Sequence, residues 1–367
     1  MAIRLIEGFE QTAATGSLTA QYFERKYASL FSGPGSAPGY LGGLSLLSST
    51  FAFTTKTFTA QDTWIIHWWW FLNQAGTTSN TAGFYIRDSG GVQLALVIRS
   101  ATGVSDNDDR YYIDLNRGVT TLASAGPFWA ESWLSGQLKV TIDPTDGAYE
   151  LKVAQTDSVG KIPVTVMSDA GPVNTADQGT SGADRFLFDS NNGPRTMQLD
   201  HLVICDDTGS ANNDFLGEVY VGSLLPSADG DDLDWTPSTG ATHYTLVNEV
   251  MPGTPTTQDL LRVTSDTVSD FDRWFMQGLS SVLTIPTGTS VFGLSVETTA
   301  AMEASGSRDL RAVFKDGTAA TAEGTSFTVS DTPWLTFVQI WETNPATAAA
   351  WSVSTVDAGQ FGVKVQA

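Results

Sequence analysis

The sequence predicts an all-β protein, two antiparallel β-sandwich (jelly-roll-like) domains in tandem. Three observations carry this. Short apolar-polar alternations of period two recur along the whole chain. Clusters of Gly, Pro, Asn, Asp and Ser punctuate them. The composition, with Gly 35, 11% aromatic and only 16% charged residues in 367, suits strands joined by tight turns better than helices.

The opening Met1-Ala-Ile-Arg-Leu-Ile-Glu7 reads as a strand rather than a signal peptide, and no apolar run reaches the length of a membrane span. Folding in the cytoplasm is therefore expected. Further strands are predicted at 50–58, 63–73, 82–88, 92–99 and 110–115. The clearest hairpin joins 137–143, with Leu138, Val140 and Ile142 on one face, to 149–155, with Tyr149, Leu151 and Val153 together. Pro144-Thr-Asp-Gly147 turns between them. Strands at 184–189 and 196–205 complete a first domain, 1–225. The Asp-, Gly-, Ser- and Pro-rich stretch 226–240 reads as a linker. A smaller sandwich, 241–367, follows, with strands expected at 243–249, 259–264, 272–277, 290–297, 308–315, 334–342 and 360–365. Helix is confined to one or two turns in 17–30 and 298–305.

The run Trp64-Ile-Ile-His-Trp-Trp-Trp-Phe71 puts Trp64, Ile66, Trp68 and Trp70 on one face and Ile65, His67, Trp69 and Phe71 on the other. A central strand covered on both sides explains it best, with His67 hydrogen-bonded inside the sheet. An aromatic platform for sugar rings is the competing reading.

Charge excludes several partners. The net charge is −21, divided as −10 up to Pro226 and −11 after it, so neither half offers the basic face that nucleic acids or anionic membranes require. One cysteine, Cys205, precludes an intrachain disulfide. Three acidic loops offer oxygen ligands: 106–109, Asp206-Asp207 with Asp214, and 229–234. Asx-rich turns account for such loops without a metal. If calcium binds, Asp206, Asp207 and Asp214 are the best candidate ligands; no other cofactor is expected. The three histidines are scattered, no nucleophile elbow or P-loop is present, and no strand carries paired carboxylates in the Glu-x-Asp-x-x-Glu pattern of sandwich glycosidases. A non-enzymatic protein is the expectation.

Glu7-Gly-Phe-Glu10, the hairpin Leu138 to Val153 and the run Met197 to Gly209 resemble the first, middle and late strands of concanavalin-like or laminin-G-like sandwiches, over roughly 1–225. A second resemblance, to phage virion proteins, lies in Asp206 to Gly217, Val219 to Pro226, Ala228-Asp-Gly230, Trp235-Thr-Pro237, Asp270 to Phe275 and Gln360 to Val365. It implies a virion component of the tail or head surface. Its partners would be other virion proteins and copies of itself as a homo-oligomer. A carbohydrate-binding adhesin that touches host-surface glycans is the alternative, and a polysaccharide-degrading enzyme the third reading.

Overall fold

A computed structural model describes residues 2–9, 26–27, 29–30, 35–38, 44–48, 52–73, 82–100, 110–156, 163–189, 197–248, 261–283, 289–302, 306–317, 321–330 and 334–366. It is all-β, built of antiparallel sheets. Packing divides it into two units, Met1–Val221 and Gly222–Ala367.

The tryptophan-rich strand, Thr63–Leu72, organises the first unit. It lies between Trp133–Thr141 and Met197–Asp206 in an eight-stranded sheet. Its alternation separates two faces. Trp64, Ile66, Trp68 and Trp70 point inward and are at most 1% exposed. They meet the inner side of a seven-stranded sheet: Trp64 packs edge-on against Phe186, Trp68 against Phe84, and the Trp70 indole donates to Tyr111 Oη at 3.3 Å. Phe53, Phe84, Phe186 and Phe188 from that second sheet are all 0% exposed. Aromatic burial on this scale dominates a core.

The other face, with His67 and Trp69, is covered by the chain after Asp206. The Trp69 indole donates to the Val219 carbonyl at 3.0 Å and its ring stacks on Tyr220. Lys139 reaches Asp214 at 3.0 Å, and Lys152 Nζ sits 3.9 Å from the centroid of Phe215. The strand is therefore central and buried on both sides, which removes it as a sugar platform. His67 departs from expectation: it is buried, and neither ring nitrogen has a hydrogen-bond partner among the described residues. Burial pushes its pKa down to about 3, so it is neutral.

The hairpin forms as expected, Trp133–Thr141 pairing in unbroken register with Gly147–Thr156. Of the helix expected at 298–305, residues 298–300 instead end a strand, Leu294–Ala300, and 303–305 lie outside the described residues. The one expected at 17–30 lies mostly outside the described residues; of those described, Lys26 is helical and Ser29–Leu30 is strand. The predicted strand at 243–249 is a 3-10 turn, His243–Leu246.

The second unit carries a five-stranded sheet, ordered Pro226–Leu233, Phe271–Met276, Gln360–Val365, Ser307–Lys315 and Ala322–Ser330. Phe314 and Phe361 of this sheet form a core with Trp351 and with Trp341, which ends the strand Leu335–Trp341 paired to Leu294–Ala300. The expected linker is thus largely structured. Pro226 opens an edge strand, a position where its missing N–H costs nothing. The acidic side chains that made the segment look like a linker are engaged: Asp231 with Lys315 at 2.6 Å, Asp232 with Arg273, and Asp229 accepting from Tyr244 N at 2.7 Å.

A Cβ at Gly136 would overlap the Trp68 indole. Gly136→Ala should therefore destabilise the first unit by about 1–3 kcal/mol. A lowered urea midpoint with an unchanged slope would show it.

Candidate functional site

Among the described residues, the outer face of the seven-stranded sheet carries a row of polar and aromatic side chains. Arg110–Arg117 alternates cleanly: Tyr111, Ile113 and Leu115 point into the core, leaving Arg110, Tyr112, Asp114 and Asn116 outside. Cross-strand register extends this face. Asn116 lies opposite Ala95, Asp114 opposite Val97, and Tyr112 opposite Arg99. Ala95 and Val97 in turn lie opposite Tyr85 and Gly83. Arg87 follows Tyr85 two residues along, opposite Arg185.

The centre of this face is shallow by composition. Its floor is Gly83, Ala95 and Val97, and larger neighbours surround it. Gly83 is required there, because a Cβ would strike the Leu96 carbonyl oxygen of the next strand. Although they face outward, Ala95 and Val97 are only 7% and 8% exposed, so the longer side chains lean over them.

The rim is held in place by charge. Arg99 donates to both oxygens of Asp114, at 2.6 and 3.2 Å, and Ser124 Oγ donates to Asp114 Oδ1 at 2.6 Å. The guanidinium lies 4.8 Å from the centroid of Tyr112. The hydrogen bond to Asp114 holds the Arg99 pKa above its usual value. Asn116 Oδ1 is buried without a partner among the described residues.

At the sheet edge, Thr120–Trp129 carries a register shift between Ala125 and Phe128. This bulge re-aims the strand. Phe128 packs toward Tyr111 and the core, while Trp129 faces out, 58% exposed, beside Arg110 at 5.5 Å. Gln155 clamps the Trp129 backbone, accepting from its N at 3.0 Å and donating to its carbonyl. From Arg110 to Asn116 the strand runs about 20 Å, so the face is longer than a single sugar. Sequence reading missed it because Trp129 is isolated behind Gly126-Pro127; the alternation Arg110-Tyr-Tyr-Ile-Asp-Leu-Asn116 was its one legible signal.

The structure does not assemble the candidate calcium ligands. Asp206 is fully buried, its Oδ2 accepting from Arg4 Nε at 2.5 Å and its Oδ1 from Thr208 N at 2.9 Å. Asp214 accepts from Lys139 Nζ and Phe215 N, and Asp207 is exposed. Among the described residues, no group of three His, Cys, Asp or Glu side chains is arranged to hold a metal. The 106–109 loop lies outside the described residues. Calcium or EDTA should accordingly leave the melting temperature unchanged; a calcium-dependent rise would overturn this reading of Asp206 and Asp214.

Among the described residues of the second unit, Asp272 has a strongly perturbed carboxyl. Asp272 is 0% exposed, and both its oxygens lie 3.0 Å from His243 Nδ1. Burial pushes its pKa up to about 7; the His243 contact opposes this, and Asp229 and Asp234 add to it. The folded state therefore retains a proton that the unfolded chain releases near pH 4. The stability this group contributes should fall as pH rises from about 4 to about 7. Asp272→Asn should flatten that part of the pH dependence, read as urea midpoints of the two proteins across the range.

No protein-family model matches the chain, nor does any curated protein. Solved structures similar to it include a cellulose induced protein, Cip1, at 14% identity, covering 55% of this chain and 96% of that one, TM-score 0.33. The exoplasmic/lumenal domain of VIP36, in a Ca2+/Man3GlcNAc-bound form, is similar at 10% identity over 53% and 92%, TM-score 0.31. A GH131 β-glucanase catalytic domain from Podospora anserina is similar at 12% over 55% and 94%, TM-score 0.32. None of these three is described as a virion protein.

Proposed function

We propose that the first unit binds carbohydrate on the outer face of its seven-stranded sheet, as a binding module rather than a hydrolase. The observation that carries this reading is Trp129. It is a large aromatic, 58% exposed, on the same sheet face as Tyr112 and Tyr85, and it is fixed by Gln155 rather than loosely displayed. Sugar rings present C–H groups on one face and hydroxyls around the edge. The electron-rich face of an indole or phenol meets the former. Planar amide, carboxylate and guanidinium groups meet the latter. Trp129, Tyr112 and Tyr85 supply the first kind of contact and Asn116 and Arg99 the second. Asp114 is committed to Arg99 and Ser124, which suits a positioning group better than a proton donor.

The sequence resemblance to phage virion proteins supplies a setting. Displayed in many copies on a particle, even a weak sugar site would gain avidity. The structural and adhesive expectations then describe one molecule, a particle component whose first unit reaches host glycans.

The test is a glycan array probed with the full chain, with and without calcium, followed by affinity measurement for the best ligand. Trp129→Ala should weaken binding about thirtyfold, the loss of a central aromatic anchor. Absence of binding to any glycan would sink the proposal.

A further inference from the structure

Arg87 has no role in holding the candidate face together. The neighbouring arginines are committed: Arg99 to Asp114, and Arg185 to Asp184 at 2.7 Å. Arg87 makes no ion pair or side-chain hydrogen bond among the described residues, and its Nε is buried without an acceptor. Its Nε is buried, while the residue as a whole is only partly buried. It follows Tyr85 by two residues in the strand Ala82–Arg87, opposite Arg185 and past a register shift that sets it opposite Val92.

A guanidinium whose Nε is buried without an acceptor or counter-charge is unfavourable, because burial removes hydration at that nitrogen that nothing else replaces. In a chain of net charge −21, with Asp and Glu outnumbering Lys and Arg 40 to 19, carboxylate partners are abundant. The neighbours of Arg87 have taken such partners and Arg87 has not. Its planar fork matches an oxyanion with two oxygens in one plane.

We infer that the saccharide bound on this face is acidic and that its carboxylate or sulfate is received by Arg87. This rests on the carbohydrate reading above and adds the chemical class of the ligand. Unselective attraction cannot imitate it, since the net charge of the protein repels polyanions. Binding of an acidic glycan must therefore come from local contacts.

The experiment is affinity electrophoresis of the full chain in gels containing polygalacturonate, dextran sulfate, or a neutral β-glucan or mannan. Wild type is compared with Arg87→Ala, Arg87→Lys and Trp129→Ala, each checked for an unchanged melting temperature. The expected result is retardation by an acidic polymer, weakened about ten- to hundredfold in Arg87→Ala and partly kept in Arg87→Lys, which retains charge but not the fork. Retardation by polygalacturonate assigns the carboxylate, and by dextran sulfate alone the sulfate; either supports the inference. Binding to neutral polymer that Trp129→Ala abolishes and Arg87→Ala leaves intact would overturn it while leaving the carbohydrate reading standing. Binding to none of the polymers, with an array also negative, would remove both.

Discussion

The first unit depends on a strand that is apolar on both sides. Four large side chains of Thr63–Leu72 face one way and four the other, so neither side can be left to water. One side is covered by the phenylalanines of the second sheet. The other is covered by the chain from Asp214 to Val221, pinned through Trp69, Lys139 and Lys152. This double covering decides where a site can lie. The outward side of the eight-stranded sheet is occupied by the protein's own chain around Trp69, and the outward side of the seven-stranded sheet carries, among the described residues, polar and aromatic side chains. His67, neutral and unpaired beneath the covering segment, shows how far burial has been carried on the occupied side.

Much of the fold was legible because period-two alternation survives wherever a strand has one buried face. Leu138-x-Val140-x-Ile142 and Tyr149-x-Leu151-x-Val153 announced their hairpin, and both partners formed in register. The reading failed where alternation was masked by composition. Pro226–Leu233 is a strand made of Pro, Ser, Ala, Asp and Gly; cross-strand pairing and ion pairs with Arg273 and Lys315 overrode a local preference for turn. Thr120–Trp129 was missed because the bulge at Gly126 and Pro127 breaks its phase. That bulge is also what turns Trp129 outward, so the feature that hid the strand hid the site.

Acidic residues misled in a different way. A cluster of Asp and Asn in one stretch of sequence suggests shared ligands, but adjacent residues of extended chain point apart. Asp206 turns inward to Arg4 and Thr208, while Asp207 is exposed. Asp229, Asp231, Asp232 and Asp234 each find a different partner: Tyr244 N, Lys315, Arg273 and Phe271 N. Arg4, Lys315 and Arg273 are committed in these pairings, and Arg87 is not.

Excess acid makes an unmatched arginine costly to explain and easy to correct by drift. A carboxylate beside Arg87 would repeat what Asp184 does for Arg185 and Asp114 for Arg99. Such a pair would relieve the desolvation of a half-buried guanidinium, but it would also occupy the fork. A binding face has to hold its contact groups rigid while leaving their bonding capacity open. Arg99 and Arg87 divide those requirements: the first stiffens the face through Asp114 and Tyr112, and the second keeps its capacity for what arrives.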